Sequence, residues 1–203
     1  MSSHLPKLIA LSLSSLLFSS CTLVPQKATS PSAIINQSPP QSLTPTPATI
    51  PTTAGWLEFS PSAGNFKAGF PIYPSSQSQQ LAAGSISINH TQYSATDQNG
   101  NLFLIAYSTY ETTASIDYAK GLQGSVNGSL TATPNGQLLR SDPGTFLTYP
   151  SIDYTIYSSS ENGFLIGRNF MVGNQLYQIM ISSPINDLNL FNQFAGTFEL
   201  TSF

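Results

Sequence analysis

Between Thr22 and Ala54 the chain carries seven prolines, no aromatic residue, no acid and a single charge, Lys27. Proline fixes φ and lacks an amide hydrogen, so a stretch this dense in it sustains neither a helix nor a central strand. Ser, Thr and Gln fill most of the gaps and offer little to bury. Residues 21–54 are therefore expected to form a disordered, partly extended tether, spanning roughly 30 Å if fully flexible and up to ~100 Å if mostly polyproline II. Whatever folds must be built from Gly55 to Phe203. Those residues hold eleven of the twelve Phe, all nine Tyr and the only Trp, enough for one core.

Ahead of the tether, Leu8 to Phe18 is apolar apart from three serines and follows a short segment with one lysine. As a helix it would be about 16 Å long, well short of the ~30 Å hydrocarbon core of a bilayer. Residues 1–20 read as a signal peptide. Ser19-Ser20-Cys21 resembles the lipobox of bacterial lipoproteins, although Phe18 stands where an aliphatic residue is usual. That resemblance implies that Cys21, the only cysteine, is diacylated and becomes the membrane anchor. An ordinary secretory signal with an incidental cysteine and an uncleaved anchor extended to Val24 are the alternatives.

Charge and composition remove several functions. Charged residues make up 7% of the chain and Lys plus Arg total 6, so there is no basic surface to neutralise a run of phosphates, and no nucleic-acid partner is expected. Two histidines and one cysteine supply neither a Cys/His zinc site nor a disulfide, so no metal and no cofactor are expected. The folded part has four bases, Lys67, Lys120, Arg140 and Arg168, against nine acids.

Period and turn signals give the elements. Trp56–Ser60 and Phe66–Phe70, separated by Pro61-Ser62-Ala63-Gly64-Asn65, predict an opening hairpin. A strand from Ile86 to Ala95, a turn over Asp97–Asn101 and a nearly continuous apolar strand over Leu102–Tyr107 follow, the last covered on both faces. Ile116, Ala119, Leu122 and Val126 predict a helix within Ala114–Val126, capped by Thr113 or Ser115 and weakened by Gly121 and Gly124. Ile152–Tyr157, Phe164–Val172 and Gln175–Ile181 form an antiparallel meander, and Ser183 is expected to cap a last helix with Pro184 at its first position. Thr197–Leu200 ends the chain as a strand. The expected class is α+β, an antiparallel β-sheet covered by two or so helices.

Trp56-x-x-Phe59-Ser60-Pro61 with Gly64-x-Phe66 and Pro71, the hairpin around Gly100, Met171 through Gln178, and the ending Phe194-x-x-Thr197-Phe198 together resemble a domain of uncharacterised cyanobacterial lipoproteins. That domain is similar to PsbP-like proteins. The resemblance covers Gly55 to Phe203 and implies an α-β-α sandwich and a non-catalytic role. The best-studied PsbP-like proteins attach to photosystem II on the lumenal side, a role that a resemblance in turns and core aromatics does not transfer.

The candidate chemistry is thin. His90 is expected as a half-exposed strand residue with no nucleophile elbow near any serine. Asp97-x-Asn99-x-Asn101 copies the start of a calcium loop, but Leu102 and Ser108 stand where Gly and the bidentate Glu belong, so a hairpin turn is expected. Gly121-x-x-Gly124-x-x-x-Gly128 lacks the spacing of a dinucleotide fingerprint. Asp142 and Asp153 are the nearest approach to a carboxylate pair and read as surface acids. Strand alternation puts Arg168 on the face of Phe164, Ile166, Phe170 and Val172, where it either pairs with an acid such as Asp153 or, beside Tyr154, recognises an anionic group. These features suggest a lipoprotein on the extracytoplasmic (periplasmic) face of a bacterial membrane, with the outer and thylakoid membranes also open. Its non-catalytic domain would dock on, or help assemble, a membrane-protein complex. The alternative is a small-ligand or glycan binder working through Arg168 and Tyr154.

Overall fold

The computed structural model describes residues 55–83, 86–111 and 116–201. The leader, Cys21, the Pro-rich segment and the cap candidates Thr113 and Ser115 lie outside the described residues. β1 (Leu57–Phe59) and β2 (Phe66–Phe70) pair as the expected hairpin, with Leu57 opposite Phe70. Its turn needs left-handed backbone at Gly64 (φ 145) and Asn65 (φ 53), residue types that tolerate it. The turn is fastened from below. Tyr107 donates its hydroxyl to the carbonyl of Ala63 at 2.8 Å, and Tyr177 donates to that of Gly64 at 2.9 Å.

The main sheet has seven antiparallel strands: β3 (Ser75–Ala83), β4 (Ile86–Thr96), β5 (Leu102–Glu111), β6 (Gly136–Phe146), β7 (Tyr149–Ser158), β8 (Gly163–Val172) and β9 (Gln175–Ser183). Their spatial order is β3-β4-β5-β9-β8-β7-β6. The meander β7-β8-β9 is as expected, and β5 is buried along most of its length, as its continuous apolar run requires. Two strands went unforeseen, and both are sheet edges. β3 alternates nothing apolar, because its side chains from Ser75 to Ser78 are exposed on both faces. It exists through pairing with β4, helped by contacts such as Ser78 Oγ to Thr91 Oγ1 at 3.0 Å. β6 carries Pro143 and a register shift between Leu138 and Arg140, both of which an edge strand accommodates.

Both helices start later than the sequence suggests. α1 (Tyr118–Ala132) is capped by the Asp117 carboxylate, which accepts from the Lys120 amide at 3.1 Å, and it continues past Gly121, Gly124 and Gly128. Its buried face is Leu122, Ser125, Val126 and Ser129. The buried hydroxyls of Ser125 and Ser129 donate to carbonyls three and four residues earlier, so small polar residues lie against the sheet without orphaned donors. α2 (Leu188–Gly196) is capped by Asp187. Ser183, the expected cap, ends β9 instead and accepts from the Ile185 amide. β10 (Glu199–Leu200) adds to β2, giving a second sheet of order β1-β2-β10.

These layers enclose two cores. Phe59, Phe66, Phe70, Phe103, Phe170, Tyr177, Phe194 and Phe198 fill the space between one face of the main sheet and the cover of α2 and the small sheet. Leu104, Val126, Tyr154, Ile156 and Met180 fill the other face beneath α1. The architecture is thus α+β, a large antiparallel sheet with one helix on each side and a small sheet added to one cover. Among the described residues no helix is long and apolar enough to cross a membrane.

Candidate functional site

Arg168 lies in the middle of β8 and faces the aromatic core, as alternation predicts. Asp153 of β7 is its register partner, and the pair is bidentate: Nε donates to Oδ1 at 2.7 Å and Nη2 to Oδ2 at 2.6 Å. The guanidinium also lies 4.7 Å from the ring centroid of Phe146 and 5.8 Å from that of Phe191, within cation–π range. One side chain therefore ties β6, β7, β8 and α2 together. Its in-plane fork is committed to a carboxylate and it borders two rings, so it is placed as a fastening rather than as a free anion hook.

Asp142 stands directly opposite Asp153 across β6 and β7. The two carboxylates flagged as a candidate pair are neighbours, but each is held by a guanidinium, Asp142 by Arg140 Nε and Asp153 by Arg168. Neither is left as a free acid.

Tyr154 is not part of this group. On β7 it points to the opposite face of the sheet from Arg168, under α1, where it is 1% exposed. Its hydroxyl meets Ser129 Oγ at 3.1 Å, and burial pushes its pKa up to about 12. The space for its ring exists because Gly167, its partner on β8, has no side chain. Tyr154 and Arg168 therefore cannot line one pocket.

The remaining candidates are also structural. His90 is 2% exposed rather than half exposed. Its Nδ1 lies 2.9 Å from Ser108 Oγ, and burial lowers its pKa below the usual 6.5, with Gln92 offsetting part of the shift. Asp97 turns its carboxylate inward: Oδ1 accepts from the amides of Asn99 and Asn101, and Oδ2 accepts from the Asn101 side chain. The loop is a hydrogen-bonded turn with Gly100 at φ 80. Among the described residues no three His, Cys, Asp or Glu side chains gather to hold a metal. Gly121 and Gly124 lie within α1, away from any strand-to-helix turn. A small cleft lined by Thr133, Pro134, Ser158, Gly163, Phe164, Leu165 and Ser182 offers hydroxyls and backbone but no titratable group.

One feature escaped the sequence reading, a polar row inside the apolar face under α1. Gln178 of β9 lies opposite both Ala106 of β5 and Asn169 of β8. Asn169 donates to Ser125 Oγ of α1 at 2.7 Å, whereas Asn169 Oδ1, Gln178 Oε1 and His90 Nε2 are buried without a hydrogen-bond partner. The signal was an amide two residues from Met171 and another two from Leu176, inside strands that otherwise read as apolar.

No family model matches the chain, and no curated protein matches it. Among solved structures it is similar to the solution structure of cyanobacterial PsbP (CyanoP) from Synechocystis sp. PCC 6803, at 10% sequence identity and a TM-score of 0.48, over 72% of this chain and 93% of that one.

Proposed function

We propose that the chain is a lipoprotein anchored through Cys21 on the extracytoplasmic face of a bacterial membrane. Residues 55–203 would then form a non-catalytic module that docks on, or helps assemble, a membrane-protein complex. The observation that carries this reading is that the side chains able to do chemistry are spent on the fold. Arg168 and Arg140 are bound to carboxylates, the Asp97 carboxylate closes its own turn, and His90 and Tyr154 are packed beneath α1 or beside it in the sheet. A glycan or small-ligand site built on Arg168 and Tyr154 is disfavoured, because the two lie on opposite faces.

The test is tagged purification of the full-length chain from native membranes in mild detergent, with co-eluting proteins quantified beside a Cys21→Ala control. A near-stoichiometric complex that is lost in the control is the expected result. Elution of the chain alone in both samples overturns the docking reading.

A further inference from the structure

Seven large apolar side chains stand out into solvent among the described residues, and five of them, Leu57, Ile72, Tyr73, Ile185 and Leu188, gather toward one end of the molecule. The register shows this. Ser75 pairs with Ser94, Thr96 with Leu102, and Leu102 with Ser182, so the start of β3, the turn after β4 and the end of β9 share one rim of the sheet. Ile72 and Tyr73 lead into that rim from β2, and Ile185 and Leu188 leave it toward α2. Leu57 lies beside them, opposite Phe70. From β3 to β9 is three strand spacings, about 14 Å at ~4.8 Å each. Tyr73 is 72% exposed and Ile185 62%, a degree of exposure that folding does not require of residues this apolar.

Charge distinguishes this end from the rest. The four bases of the described domain are each taken by an acid, Lys67 by Glu199, Lys120 by Asp117, Arg140 by Asp142 and Arg168 by Asp153. Among the described residues, five of the nine acids make no salt bridge. Three of them, Asp97, Glu161 and Asp187, sit in the turns of this same rim, after β4, after β7 and after β9, whereas Glu58 lies in β1 and Glu111 ends β5 at the opposite rim, where it accepts from Asn89. Exposed apolar side chains and these three acids thus share the rim, and among the described residues no Lys or Arg lies in its turns. Gly55, where the N-terminal segment joins the domain, also enters beside it through Trp56, whose ring lies 5.3 Å from that of Phe103.

We infer that this rim is a protein-docking surface, and that its partner presents an apolar patch bordered by Lys or Arg. Such a face complements the rim in both polarity and charge. A bilayer bearing anionic lipid would be repelled by the three carboxylates of this rim that make no salt bridge, so they favour a protein over the lipid surface. The inference rests on the docking reading above and specifies the surface through which docking occurs.

The test places p-benzoylphenylalanine at position 73 of the full-length tagged chain, with a second chain carrying it at position 147, an exposed leucine at the opposite end of the sheet. After illumination of native membranes, adducts are mapped by peptide sequencing. Position 73 is expected to join one protein, at a peptide whose apolar residues are flanked by Lys or Arg, and position 147 is expected not to. In the purification assay, Ile72→Ser/Tyr73→Ser/Ile185→Ser should lower recovery of that protein at least tenfold while the thermal midpoint of the chain is retained, and Glu161→Lys should lower it more at low salt than at high salt. Adducts to phospholipid from position 73 would overturn the inference in favour of the bilayer. Undiminished recovery with the triple variant would place docking elsewhere on the domain and leave the docking reading intact. Absence of any complex with the unaltered chain would remove both.

Discussion

Gly167→Ala is the substitution through which the packing under α1 is most directly measured. The backbone at Gly167 is ordinary extended strand, so alanine meets no conformational penalty there. In strand context it would by itself gain about 0.5–1 kcal/mol over glycine. The obstacle is space. A Cβ at this position would lie 2.4 Å from Cζ, 2.6 Å from the hydroxyl and 2.7 Å from Cε1 of Tyr154, about 1 Å inside ordinary van der Waals contact. Tyr154 has little room to retreat, since its ring is enclosed by α1 and its hydroxyl meets Ser129. Overpacking of this kind costs roughly 1–3 kcal/mol, and displacing the hydroxyl adds about 0.5–1.5 kcal/mol. The net expectation is a loss of about 2 kcal/mol, or roughly a 1 M fall in the urea midpoint at a slope near 2 kcal/mol/M. Trp56, the only tryptophan, packs on Phe103 and Phe194 and reports unfolding by its fluorescence. The decisive comparison is a double-mutant cycle with Tyr154→Ala, which removes the ring. In that background Gly167→Ala should cost nothing or stabilise, a coupling of at least ~1.5 kcal/mol. Additive effects, or a single-mutant loss below ~0.5 kcal/mol, would show that the glycine is not what admits the ring.

Other perturbations probe the polar fastenings. Asp153→Ala leaves the Arg168 guanidinium, whose side chain is 20% exposed, without its carboxylate and should cost about 2 kcal/mol in urea unfolding, less than a fully buried pair because water still reaches it; unchanged stability would mean that Arg168 is not a fastening. Because burial lowers the folded pKa of His90 below 6.5, the unfolded chain binds the extra proton, so stability should fall as pH drops through 6.5 toward the lowered value. His90→Gln should flatten that slope between about pH 7 and 5, and an unaltered slope would refute the assignment. Tyr93, Tyr154 and Tyr177 are each raised to about 12, chiefly by burial, and burial also raises Tyr110, so ultraviolet titration should show four of the nine tyrosines ionising late. These same groups should make stability fall as pH rises above 10, and collective titration near pH 10 in the folded chain would count against it.

What the sequence determined by itself is what local chemistry encodes. Turn residues placed the hairpins at Asn65, Gly100 and Gly173, and apolar period placed β5 and the meander β7-β8-β9. Alternation alone put Arg168 on its face, where Asp153 was the acid named for it. The tertiary structure decided whatever depends on a partner distant in the chain. β3 and β6 carry almost no apolar signal because an edge strand is defined by hydrogen bonds to its neighbour, and that neighbour's backbone is not written in the strand's own side chains. The helix starts followed Asp117 and Asp187, whose side chains reach the free amides, over the Ser and Thr candidates, and the second sheet required residues 199–200 to return to β2. Tyr154 and Arg168, close in a list of candidates, were separated by the thickness of the sheet. The gathering of Tyr73, Ile185 and three acids that make no salt bridge on one rim was invisible along the chain, because it is produced by strand register, which juxtaposes segments more than a hundred residues apart.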